Sequence, residues 1–381
     1  MGIIIGADVV PTNSNLDLFA AGNAEDLIGL ELKGLLSSAD YRIFNLEVPL
    51  TDNETPIEKW GPNLTAPTRT IHGYQAMGID LLTLANNHIM DQGAQGYRST
   101  IKTLDAAGIA HVGAGDDLAE ASKPYQFCFS GKTVGVYACA EHEFSIATES
   151  SCGANPFDPL WSLDHVEQLK KCCDYVIVLY HGGKEHYRYP SPGLQKVCRR
   201  LVDKGANLVI CQHSHCIGCE EKYKDGTIVY GQGNFLFDDE DNEFWRTSLL
   251  IEITEDWTIS YHPIVKVNNC VRLADEKQEK EIMDAFALRT EEIQDPKVVE
   301  EKYAGFANTM LSDYLTAFAG KRTLVERVLN RISHGRYTRL RVKKKYEKKD
   351  LLRLCNYIEC EAHRELIDSG IEKSSRGEHD F

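Results

Sequence analysis

The sequence predicts an α/β layered fold with a helical C-terminal region. Three observations predict it. Over the first two-thirds of the chain, short apolar runs alternate with segments of helical period. The conspicuous polar residues fall just after those runs. Beyond about residue 270 the strand signals stop and helical periodicity alone continues.

The apolar runs read as buried strands are GIIIGA (2–7), YRIFNL (41–46), IDLLTLA (79–85), VGVYACA (134–140), YVIVLY (175–180), NLVIC (207–211) and TIVYGQ (227–232). Between them, LDLFAAGNAEDLIGLELKGLL, GYRSTIKTLDAAG, LDHVEQLKKCC and PGLQKVCRRLVDKGA have helical period, with Gly108 and Gly205 as C-terminal caps. TSLLIEITEDWTISYHPIVKV (247–267) alternates with period two about Glu255 and Asp256, which predicts a hairpin at the sheet edge. The division expected is 1–270 for the α/β domain. Residues 271–381 form the helical region, with a basic segment at 336–349 and a disordered tail over the last ten residues. The basic segment is a solvated helix face or a dock for a polyanion.

The chain has 381 residues and a formal net charge of −15. That charge opposes broad nucleic-acid binding, because a phosphate backbone would be repelled. No apolar run approaches the roughly 18–20 residues of a membrane helix. MGIIIGADVV reads as a first strand, not as a leader. Twelve irregularly spaced cysteines fit a reducing compartment, so the expected location is cytoplasmic.

The polar residues after the strands are Asp8, then Asn45 and Glu47, then Asn86, Asn87, His88 and Asp91, then His181, Glu185 and His186, then His213 and His215, then Asn234. In an open α/β sheet the carboxyl ends of the strands share one rim, where ligands bind. Carboxylates and imidazoles without a thiolate suit Mn²⁺, Fe²⁺, Zn²⁺ or Co²⁺. One carboxylate can bridge two such ions about 3.5–4 Å apart, a pairing that activates water for attack at phosphorus or a carbonyl. Taken singly, each histidine reads first as a structural residue, and it is the agreement of five segments on one rim that points to a metal. Cys216 and Cys219 could also join His213 and His215 in a local zinc site, but that would leave Asp8, Glu47, Asn87 and His181 unexplained.

NLEVPLT, LANNHIMDQG, HGGKEH, QHSHCIG and YGQGNFLFD stand in the order found in the CapA family of poly-γ-glutamate capsule-synthesis proteins. That family resembles the calcineurin-like metallophosphoesterases, and the match spans about 4–240. The resemblance implies a metallophosphoesterase-like fold and a site with one or two divalent transition-metal ions. Asp8 then stands as a ligand of the first metal and Glu47 as the bridging carboxylate. Asn87, His181 and His213 serve the second metal, and His215 returns to the first. His88 resembles the histidine that protonates the leaving oxygen, with Asp91 orienting it. Glu185 matches a glutamate near the substrate. Asn234 matches the asparagine of GNF, for substrate contact or for holding a turn.

There are departures. Gly182 replaces a tryptophan, which is expected to widen the rim, and Ser214 replaces a proline. The residue two after Asp8 is Val10, where the phosphoesterases have histidine, so the first metal is short of a ligand unless Thr12, Asn13 or Asn15 helps.

The expected function is a metal-dependent hydrolase acting through a metal-activated water on a phosphoester or a poly-γ-glutamate-related bond. The substrate is expected to be an anionic small molecule or polymer, and capsule-synthesis proteins are the partners the resemblance implies. The alternative is a non-catalytic accessory protein that binds a polyanion or a partner enzyme.

Overall fold

The structure is a computed structural model that describes residues 2–237, 242–320 and 323–375. In chain order its strands are β1 Gly2–Val9, β2 Tyr41–Leu46, β3 Leu81–Thr83, β4 Ala110–Val112, β5 Ala114–Gly115, β6 Tyr125–Phe129, β7 Lys132–Ala140, β8 Gly153–Ala154, β9 Tyr175–His181, β10 Leu208–Gln212, β11 Glu220–Tyr223, β12 Gly226–Tyr230, β13 Asn234–Leu236, β14 Thr247–Thr254, β15 Ile259–Val267 and β16 Cys270–Leu273.

Two sheets carry the first unit. One runs β16-β15-β14-β1-β2-β3-β4, with β13 pairing beside β1, and the other runs β11-β12-β10-β9-β7-β6. The inward faces meet in one apolar core that includes Ile3, Ile5, Ile43, Val136, Ile177 and Ile210. Helices cover the outer faces, through Leu27, Leu32 and Tyr74 on one side and Val166, Leu169 and Leu201 on the other. Burial on both faces explains why these strands read as continuous apolar runs and not as alternating ones. The fold is therefore the expected α/β sandwich, with helices toward the C-terminus.

Local chemistry accounts for the differences from the sequence pattern. The long helical stretch after β1 is two helices, Leu16–Ala21 and Ala24–Ser38, split where Gly22 adopts φ +65° and Asn23 caps the second by accepting from the Asp26 N–H at 3.1 Å. The hairpin does not lie at the sheet edge, because β16 pairs outside it. That strand has four residues, too few to show a period.

The first compact unit runs on to Tyr303, and a second begins at Ala304. Residue 270 marks the end of the long strands, but the helix Glu276–Glu292 still packs on the sheet through Phe286, beside Ile217 and Leu249. Arg289 donates to the Gly218 carbonyl at 2.7 Å, and Ile293 and Val299 are buried in the outer core. The last helix reaches Ser375, into the segment expected to be disordered, and residues 376–381 lie outside the described residues. Among the described residues no helix is long and apolar enough to cross a membrane.

Gly218 yields a stability prediction. A Cβ there would lie 1.8 Å from the Tyr230 carbonyl oxygen, and that oxygen belongs to a strand end that cannot swing away. Gly218→Ala is expected to destabilise the protein by about 1–3 kcal/mol, read from a urea midpoint, as overpacking of a fixed contact does. An unchanged midpoint would contradict the packing described.

Candidate metal centre

Strand register sets the site. Asp8 lies level with Asn45 on β2 and with Asn234 on β13. His181, the last residue of β9, lies level with Gln212 on β10 and Ala140 on β7. Glu47 follows β2, and the segment after β3 carries Asn86, Asn87, His88 and Asp91. His213 and His215 follow β10 with φ of +76° and +53°. Left-handed backbone is unfavourable for a residue with a Cβ, and such strain collects where surroundings fix a side chain for a task.

The strain turns both rings toward Glu47. One ligand atom from each of Glu47, His213 and His215 lies within 4.8 Å of the others, and all three residues are buried. His181 Nε2 is 3.3 Å from Glu47 Oε1 and 3.0 Å from Asn87 Oδ1. Asn45 donates to Asp8 Oδ1 at 2.7 Å. His215 Nδ1 is 2.8 Å from Asn234 Oδ1 and 3.4 Å from Asp8 Oδ2. Asn87 donates to Glu143 Oε2 at 2.9 Å, and Glu143 Oε1 is 3.9 Å from His213 Nε2.

Several buried polar atoms here have no hydrogen bond: Asp8 Oδ2, both oxygens of Glu47, His213 Nδ1 and Asn234 Nδ2. The 3.3 and 3.4 Å approaches to Glu47 and Asp8 are within ion-pair range but lack hydrogen-bond geometry. Buried polar groups are ordinarily satisfied, so a cluster of orphans asks for a missing partner. Four of the five atoms are carboxylate oxygens or an imidazole nitrogen, the donors a divalent transition metal takes. The residues fit such an ion.

Charge balance agrees. Burial acts to raise the Asp8 carboxyl, but the adjacent His215 ring, the charge of His181 and the Asn45 amide hold it below the usual range. Burial alone would lower His215, yet Glu47, Asp8 and Asn234 carry it up to about 9. The His213 imidazole is pushed well down, first by burial and then by its histidine neighbours, which leaves it neutral with a lone pair to give.

A second cluster adjoins the first. His88 Nδ1 is 2.6 Å from Asp91 Oδ2, and the Leu64 N–H donates to the same oxygen at 2.6 Å. Lys59 Nζ donates to Asp91 Oδ1 and stands 3.4 Å from His88 Nδ1. Both the ammonium and the ring N–H are donors, so both serve Asp91, and Nε2 is left to take up or hand over a proton.

The structure thus brings Asp8, Glu47, Asn87, His181, His213 and His215 together, with His88 and Asp91 alongside. Asn234, expected beside a substrate or in a turn, holds the His215 ring. Glu185 is half-exposed on the loop after β9, with Lys184 as its ionic neighbour at 3.9 Å. Gly182 does not widen the rim, because Glu141 and the Tyr180 ring occupy the space where a Cβ would go. Asn15, considered as an extra ligand, accepts from the Thr12 N–H and donates to the Asn269 carbonyl, both at 2.9 Å, and Val10 is core. Cys216 and Cys219 are buried and take no part in the ligand group, and burial pushes the Cys216 thiol up to about 11. Sequence reasoning missed Lys59 and Glu143. Glu143 obeys the strand-end rule, since it follows β7, while Lys59 lies in an irregular loop that carries no period.

Comparison with known proteins shows the family. The family model for the bacterial capsule synthesis protein PGA_cap matches residues 8–239. The chain is 30% identical over 222 residues to the capsule biosynthesis protein CapA of Bacillus anthracis, covering 56% of this chain and 54% of that one. It is 27% identical over 215 residues to a probable polyglutamine synthesis accessory protein of Mycobacterium tuberculosis, covering 53% and 57%. The chain therefore spans about half the length of these curated relatives. Among solved structures it is similar to a putative 5′-nucleotidase from Staphylococcus aureus, at 16% identity and TM-score 0.43, over 74% of this chain and 58% of that one. The family match takes in every strand end that contributes to the cluster, and the chain belongs to the bacterial capsule synthesis protein family PGA_cap.

Proposed function

We propose that the protein is a metal-dependent hydrolase of a phosphoester or of a γ-glutamyl bond in a capsule-type polymer. The observation that carries this reading is the set of buried acceptors without partners, Asp8 Oδ2, Glu47 Oε1 and Oε2, and His213 Nδ1. Asp8, Glu47, Asn87, His181, His213 and His215 would hold one or two divalent ions such as Mn²⁺, Fe²⁺, Zn²⁺ or Co²⁺. A bound ion would supply Lewis acidity toward the substrate and toward water. His88, its Nδ1–H held by Asp91, offers Nε2 to the leaving atom, the oxygen of a phosphoester or the nitrogen of a γ-glutamyl amide. Lys59 donates to the other oxygen of Asp91 and so helps fix the carboxylate that holds the ring. Asn45 and Asn234 hold Asp8 and His215 in place. The names of the relatives favour a capsule-polymer setting, and that of the mycobacterial one favours a second reading, a non-catalytic accessory protein.

His88→Ala separates the two. The test measures metal content and turnover of bis(p-nitrophenyl) phosphate and of poly-γ-glutamate. The hydrolase reading expects turnover of one of them to fall by about 10²–10⁴-fold while metal content stays. Wild-type protein that holds metal, turns over neither and binds the polymer equally well with His88→Ala would support the accessory reading.

A further inference from the structure

In the second unit, helix Leu324–Ile332 is turned inside out. At about 100° per residue, Leu324, Val328, Ile332, Val325 and Leu329 form one stripe about 140° wide. All five are exposed, by 40% to 79%. The polar side faces the neighbouring helix Arg336–Lys345 instead. Glu326 pairs with Arg341 at 3.2 Å, and Asn330 Oδ1 accepts from the Thr338 N–H at 3.2 Å. Thr338 and Val342 are the buried residues of that second helix. An amphipathic helix in a folded unit normally does the opposite, since exposing five aliphatic side chains forgoes their burial.

Charge identifies what would cover the stripe. Between Arg327 and Arg353 the chain has eleven lysines and arginines and two acidic residues, Glu347 and Asp350, in a protein of net charge −15. Arg327 and Arg331 border the stripe on its own helix, and Leu340, also exposed, is flanked on the next helix by Arg336, Lys343 and Lys344. Long cationic side chains beside an apolar stripe can lift their charges to a polar layer while the stripe sinks below it.

We propose that the Leu324–Lys345 helix pair docks on an anionic lipid surface. The apolar stripe enters the acyl boundary and the basic residues meet the headgroups. An anionic bilayer offers both complements at once. A polyanion such as polyglutamate would satisfy the charges and leave the stripe in water. A second copy of this chain would cover the stripe but bring two basic helix pairs together. The inference does not depend on the hydrolase reading, because none of these residues belongs to the metal centre.

The test is co-sedimentation of the full chain with phosphatidylcholine vesicles, with and without phosphatidylglycerol. Wild type is expected to sediment with the phosphatidylglycerol vesicles alone, and less so as salt rises. Val328→Glu with Ile332→Glu, and Lys343→Glu with Lys344→Glu, are expected to weaken binding at least about ten-fold each. All four positions are exposed, so circular dichroism should show both variants folded. Wild type that fails to bind the anionic vesicles overturns the proposal. Unchanged binding by the stripe variant overturns it in favour of a polyanion dock, and added polyglutamate should then compete. A wild-type dimer that Val328→Glu with Ile332→Glu makes monomeric overturns it in favour of self-association.

Discussion

Asp91→Ala is expected to destabilise the protein by about 3–5 kcal/mol, the range for breaking a buried ion pair from one side. The Asp91 side chain is fully buried and that of Lys59 is 2% exposed. Removing the carboxylate leaves an ammonium buried without a counter-charge. It also orphans His88 Nδ1–H and the Leu64 N–H, both of which donate to Asp91. Replacing both partners by apolar residues of similar size, Lys59→Met with Asp91→Leu, is expected to cost less than Asp91→Ala alone, because no charge is then stranded. Urea unfolding of Lys59→Met, of Asp91→Leu and of the double variant reads the coupling directly. If Asp91→Ala costs under about 1 kcal/mol, as an exposed pair would, the buried cluster is not as described.

Divalent metal is the second large effect. A ligand that binds only the folded state stabilises by about 2.7 kcal/mol when present at a hundred times its dissociation constant. Mn²⁺ or Zn²⁺ is therefore expected to raise the unfolding temperature of wild-type protein by several degrees, and a chelator to reverse the rise. In Glu47→Ala and His213→Ala the shift should vanish, since each removes an acceptor that has no other partner. A shift that persists in both variants would place the ion elsewhere.

These effects rest on features that were unevenly legible in the sequence. Asp8, Glu47, His181, His213 and His215 stood out because each follows an apolar run, and parallel pairing of β1 with β2 and of β9 with β10 carries those strand ends to one rim. Glu143 obeys the same rule after β7, but it sits among other polar residues and no motif marked it. Lys59 was illegible. It comes from a loop whose course is set by long-range bonds, such as the Thr55 N–H donating to Gln92 and the Ile57 N–H to the Asp91 carbonyl, and not by any local period. β16 escaped for the same reason, since its four residues gain their place from pairing with β15. The packing of Phe286, Ile293 and Val299 within the first unit is likewise a tertiary matter that helical periodicity alone does not announce.

The central claim is that the strand ends build a metal centre. The measurement that tests it most directly is metal content per chain by elemental analysis, on wild type, Glu47→Ala and His213→Ala, with fold checked by circular dichroism. The structure predicts about one or two transition-metal ions per wild-type chain, by the number of ligands the site can offer, and depletion in both variants. Wild-type protein that binds no ion after Mn²⁺ or Zn²⁺ is supplied would contradict it.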